Sequence, residues 1–392
     1  MPDGMKKQFL NSFDYIAAYL AHTCRNAPAG ANDFFLELIT SGPVSADEIN
    51  VIMQKRTPLL PELSGRMKRE FFTLAPYWKP GRRNVFTVQE IAPETSMESL
   101  ANMPRPKSLI SVFCAGKRLI FRFPHTVFDG IGAERFVAWL FSDAPPPADN
   151  GLLTSRHLND WKRQMESGRT FREILLSGTR ENTAALCAAP DAETEFITET
   201  FPAEQLIQEA EQEAGPFMTI PYLVNHALEK LLPALPENGA IVVPMTVDQR
   251  GQEDQAQDTL LFNHWSLLPL FIPESARHTK AQRLAALRRS FFEGNAKRIP
   301  AVFRHASFWA RIVPFFIMRK MEKKYGNMLG GTFMFSYIDG STLPGTPVCR
   351  SVIEDVRHYP VMPPRPGIGF FYTRAGDRLH LTISRRRGVC DL

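Results

Sequence analysis

His125 and Asp129 stand four residues apart in FRFPHTVFDG, residues 121–130, and Gly130 closes the stretch. An imidazole titrates near working pH, so it can take a proton from an alcohol, amine or thiol as that group attacks a carbonyl. To do so it must be held in one tautomer and one rotamer. A carboxylate at this spacing can fix the turn by pairing with a cation elsewhere in the chain, without touching a substrate. A glycine admits close backbone approach or an unusual dihedral. The same three residues also suit a plain structural turn at a strand end, and the bare pattern leaves both readings open.

The surrounding pattern brings a catalytic histidine level with a structural one. Leu119, Phe121 and Phe123 alternate on one face, which predicts a strand over 118–124, paired with a second over 108–114. After the turn, Ala133, Phe136, Val137 and Leu140 fall at helical spacing and predict a helix with one buried face. The motif therefore sits in a strand-to-helix turn, where catalytic groups commonly sit on α/β scaffolds. Upstream, DFFLELIT (33–40) reads as a strand. SADEINVIMQK reads as a helix opened by a Ser45/Glu48 capping box and closed before Pro58. SDAPPPADN (142–150) is the clearest punctuation. It predicts a first unit over 1–150, a polar crossover over 151–190 and a second unit over 191–392. The second unit should hold helices at 219–234 and 278–293, strands at 240–247 and 264–272, a strand in GTFMFSYIDG, and a hairpin turning at Ala375-Gly376-Asp377.

With 392 residues, 44% hydrophobic and 22% charged, the chain is an ordinary globular protein able to bury substantial cores. A formal net charge of +5 fits a phosphate-bearing substrate or an acidic partner. Lys and Arg interleaved with Asp and Glu argue against nucleic acid. Five widely spaced cysteines without a CxxC pair predict a reduced, cytoplasmic chain with no metal site. Asp14 interrupts the first apolar run, so no signal peptide is expected, and no run is long enough to span a membrane. SFWARIVPFFIMRKMEKKYG (307–326) reads as a core helix broken at Pro314, or as a greasy element with a basic tail at a membrane surface. VMPPRPG (361–367) reads as a stiff connecting loop.

HTVFDG resembles the HxxxDG motif of the CoA-dependent acyltransferase superfamily, which includes chloramphenicol acetyltransferase, the plant BAHD acyltransferases, wax ester synthase-like enzymes and nonribosomal condensation domains. FFLELITSGPVSADEINVIMQKRTPLLPEL is similar to the family's opening strand and helix. VVPMTVDQRG (242–251) with LLFNHWS resembles its VDxR…GN region, and FMFSYIDG its late strand. The resemblance spans nearly the whole chain in the expected order. It departs at Pro124, where many relatives carry a first histidine, and in lacking the plant DFGWG signature.

The resemblance implies an α/β (α+β) fold of two chloramphenicol-acetyltransferase-like subdomains, each a mixed sheet flanked by helices, with a tunnel between them. It implies an acyltransferase that moves groups other than aminoacyl from a CoA or carrier-protein phosphopantetheine thioester to a hydroxyl or amine, in lipid or secondary metabolism. His125 becomes the general base and Asp129 its structural partner, ion-paired to Arg250. Gly130 permits the turn, Ser336 is an oxyanion-donor candidate and Asn263 a substrate-binding one. No permanently bound cofactor is implied. Two fused halves make a monomer sufficient, and an acyl carrier protein or peripheral membrane contact fits the same reading. The alternatives are a condensation-like domain restricted to carrier-bound substrates, which the absence of adjoining carrier sequence disfavours, and a non-catalytic ligand- or partner-binding relative.

Overall fold

The computed structural model describes residues 7–24, 32–149, 151–153, 161–178, 184–252, 258–320 and 331–391. In chain order the strands are β1 (Gln8–Phe9), β2 (Asp33–Thr40), β3 (Arg66–Arg69), β4 (Pro76–Lys79), β5 (Phe86–Glu90), β6 (Ile110–Ala115), β7 (Arg118–Pro124), β8 (Thr194–Pro202), β9 (Ile241–Asp248), β10 (Trp265–Ile272), β11 (Met334–Ile338), β12 (Pro347–Val348), β13 (Ser351–Pro360), β14 (Ile368–Ala375) and β15 (Arg378–Arg386). The helices are α1 (Ser12–Thr23), α2 (Ala46–Arg56), α3 (Met97–Asn102), α4 (Gly130–Leu140), α5 (Trp161–Gly178), α6 (Ala203–Ala214), α7 (Thr219–Leu231), α8 (Lys280–Ala296) and α9 (Ile299–Ser307).

Two six-stranded mixed sheets dominate. The first runs β12-β13-β2-β7-β6-β5 and the second β10-β9-β11-β14-β15-β8; β1, β4 and β3 form a small third sheet. The first sheet is antiparallel except where β5 meets β6, whereas β11 runs parallel to both its neighbours in the second. Each large sheet has its own apolar core. Leu36, Phe121 and Phe123 pack with Phe136 and Val137 of α4 in one; Val243, Phe335, Phe370 and Leu381 pack with Leu223 and Leu228 of α7 in the other. Leu260, Leu261 and Phe262, from the chain's second half, are buried in the first core.

The periodicity that marks 118–124 and 130–140 acts as expected. Ala133, Phe136, Val137 and Leu140 are all essentially buried. Helices at 219–231 and 280–296 and the hairpin at 375–378 also lie where the sequence puts them. Two local readings differ. Ser45 caps α2 by accepting from the Asp47 N–H, while Glu48 reaches Arg350 at 3.5 Å, so the reciprocal capping box gives way to a distant ion pair. Strand β13 went unread, and it places residues 351–360 in the first sheet beside β2. In 151–190, α5 is helical; residues 154–160 and 179–183 lie outside the described residues, as does the 321–326 end of the basic tail. No helix among the described residues is long and apolar enough to cross a membrane.

Candidate active site

His125 follows the last residue of β7, and its backbone N–H donates to the Asn32 carbonyl at 3.0 Å. Its ring lies between aromatic neighbours, with Phe34 at 5.4 Å and Trp265 at 6.2 Å between centroids. The loop between β9 and β10 supplies the rest. Phe262 takes a left-handed backbone, φ 67°, and its N–H donates to the Val127 carbonyl, which drives Asn263 against the histidine.

Asn263 determines the tautomer. Its Oδ1 accepts from Trp265 Nε1–H at 2.9 Å, and an indole nitrogen only donates. Its Nδ2 donates to Asp14 Oδ1 at 3.0 Å and to the His125 carbonyl at 2.8 Å. The amide therefore has one orientation. Its Oδ1 lies 3.0 Å from His125 Nδ1, so Nδ1 must carry the proton and Nε2 the lone pair. Nε2 makes no hydrogen bond with any described residue. Burial, opposed by Asp129 and Asn263, lowers the His125 pKa below the usual 6.5 and keeps the ring a neutral base. Asn263 is 1% exposed and all its side-chain capacity is taken by protein groups. The geometry thus makes it a positioning residue rather than a substrate ligand.

Asp14 completes this chain. It accepts from the Asn263 N–H at 2.7 Å as well as from its Nδ2, and its Oδ2 accepts from the Asn11 N–H at the start of α1. Burial raises its pKa to about 7 despite these donors. Its signal in the sequence was the capping pair Asn11/Asp14 and a carboxylate inside an apolar run.

Asp129 caps α4 through the Gly132 N–H at 2.7 Å, accepts from the His264 N–H at 2.8 Å and pairs with Arg250 at 2.8 Å. Arg250 also reaches Asp248 at 3.0 Å and donates to Thr259 at 3.2 Å. Burial disfavours a charge on Asp129, but Arg250 and the His264 N–H outweigh it and hold its pKa below the ordinary value. His125 and Asp129 belong to the first sheet's side of the molecule, Asn263 and Arg250 to the β9–β10 loop of the second.

Gly130 does not carry the role expected of it. It opens α4 without a positive φ, and a Cβ there would make ordinary 3.5 Å contacts with His358 and Ile338. The more crowded glycine of this turn is Gly132, where a Cβ would lie 2.8 Å from the Leu260 carbonyl and 3.0 Å from both Arg250 Nη2 and Asp129 Oδ1. Ser336, on β11, accepts from Thr246 Oγ1 at 2.8 Å and makes no hydrogen bond to the His125 cluster. A cleft of about 170 Å³, lined by Asp14, Arg66, Met67, Trp78, Arg83 and Thr126 among others, reaches the residue next to His125.

No family model and no curated protein matches the sequence. Solved structures do. TRI3 trichothecene 15-O-acetyltransferase from Fusarium sporotrichioides superposes with a TM-score of 0.65 at 14% identity, over 98% of this chain and 92% of that one. The first condensation domain of the calcium-dependent antibiotic synthetase gives 0.69 at 12% identity, over 99% and 92%. The starter condensation domain of rhizomide synthetase, in complex with C8-CoA and Leu-SNAC, gives 0.67 at 10%, over 98% and 90%.

Proposed function

From this common fold we propose that the chain is an acyltransferase, moving an acyl group from a CoA or phosphopantetheine thioester to a hydroxyl or amine. The observation that carries the reading is the fixed Asn263 amide, which holds the proton on His125 Nδ1 and leaves Nε2 as the free base. His125 Nε2 would take the acceptor's proton as its oxygen or nitrogen bonds to the thioester carbon. The carbonyl π electrons move to oxygen and form a tetrahedral oxyanion. Its collapse breaks the C–S bond, and the imidazolium returns the proton to the departing thiolate. No covalent acyl-enzyme is needed. Ser336 fits the role of oxyanion donor, because its oxygen already accepts from Thr246 and its own proton remains to give. A tunnel between the two sheets, with donor and acceptor at opposite mouths, would supply much of the rate through proximity.

Thiol release from acetyl-CoA and longer acyl-CoAs, offered with alcohol and amine acceptors, tests the reading. His125→Ala should lower kcat by about 10²–10⁴-fold with a nearly unchanged melting temperature. Normal turnover by that variant would overturn the mechanism.

A further inference from the structure

The chain's basic character is concentrated in one place. Of its 46 Lys and Arg and 41 Asp and Glu, six basic residues and one acid fall in RMKREFFTLAPYWKPGRR, residues 66–83. That segment alone carries the net +5 of the whole chain, and the remainder balances 40 against 40. The expectation of dispersed charge holds elsewhere and fails here.

The segment contains the β3–β4 hairpin, and register decides which residues share its outer face. Arg66 lies opposite Lys79 and Lys68 opposite Tyr77, so Arg66, Lys68 and Lys79 project together around one ring, with Lys7 Nζ above it at 5.3 Å. Like charges directly opposite one another destabilise a hairpin unless an anion meets them. Glu70, the one acid, is already engaged by Lys7 at 2.8 Å and Thr73 at 2.6 Å. Beyond the basic face the turn projects Phe71 and Phe72, 88% and 92% exposed, edge to face at 5.1 Å.

The hairpin is anchored rather than loose. On its inner face Trp78 is buried against Phe262. Arg69 donates to the Val313 carbonyl at 3.0 Å and lies over Tyr15 and Phe315. That contact sets it beside helical residues 315–320, where Phe316 is 65% exposed and Arg319 and Lys320 face solvent.

We propose that this surface docks on an anionic lipid bilayer, with Phe71 and Phe72 entering the interface and the surrounding lysines and arginines meeting the headgroups. A soluble polyanion or an acidic protein would use the charge but leave two phenyl rings projecting past it. Met67 and Trp78 of the inner face, with Arg66 and the following Arg83, line the cleft that reaches Thr126, so docking sets that cleft beside the lipid.

The test is co-sedimentation of the full chain with vesicles of phosphatidylcholine alone, and of phosphatidylcholine with about one-third phosphatidylglycerol. The protein should sediment only with the anionic vesicles and be released as salt rises from about 0.1 to 0.5 M. Phe71→Ser/Phe72→Ser and Lys68→Ala/Lys79→Ala should each weaken binding by about tenfold or more. Melting temperature and thiol release in solution should stay at wild-type values, since these side chains are exposed. Absence of sedimentation with anionic vesicles, binding indifferent to Phe71 and Phe72, or capture of an acidic carrier protein through these residues while vesicles fail, would each overturn the assignment.

Discussion

At the scale of single residues, the proposed reaction rests on which ring nitrogen bears the proton. It requires neutral imidazole, which burial favours, so the acid limb of kcat/KM should fall below pH 6.5 rather than above it. Stability follows the same sign. Below 6.5 the unfolded chain takes up a proton that the native ring resists, so acid weakens the fold at this position. Asn263→Ala should lower kcat while leaving KM nearly unchanged, because it frees the ring to adopt the wrong tautomer without removing a substrate contact. A drop confined to KM would return Asn263 to the substrate-ligand role. His125 and Asp129 were readable because they lie four residues apart. The Asn263 contacts were not, since its partners His125 and Asp14 lie 138 and 249 positions away.

Helix α4 shows how an element enforces that geometry. Asp129 is at once its N-cap, the anion of the buried pair and the acceptor for His264, so the helix start and the site are one object. Gly132→Ala should destabilise by about 1–3 kcal/mol in chemical denaturation, because the new methyl meets the Leu260 carbonyl. Gly130→Ala should change stability by no more than about 0.5 kcal/mol. The reverse order would show that the turn, not the packing of α4, demands glycine. α4 and β7 were legible because apolar residues fall at the period of each. β13 was not: it buries Asp355 and His358 while exposing Val352, so its alternation runs against polarity. Those inward polar groups have partners brought by the fold, Asp355 with His380 at 2.6 Å and His358 with Glu134 at 2.7 Å.

Across the whole molecule, the buried Asp129–Arg250 pair bridges the two halves. Removing Arg250 leaves Asp129 a buried charge without its counter-ion, whereas removing Asp129 leaves Arg250 with Asp248, so Arg250→Ala should cost about 3–5 kcal/mol by urea titration and Asp129→Ala somewhat less. The double variant should cost less than the two losses added; strict additivity would mean the pair is not coupled. Sequence reading reached this pair through the spacing of VDQRG and HTVFDG in a resemblance, whereas nothing local announces that β2 is flanked by a strand from residues 351–360. That late strand has a consequence for synthesis. While the ribosome is still making the second half, β2 has β7 on one side and bare backbone on the other, an open edge able to recruit a neighbouring nascent chain. The first sheet is closed only after residues 351–360 have emerged, so a strand made early waits, one flank open, for a partner translated much later.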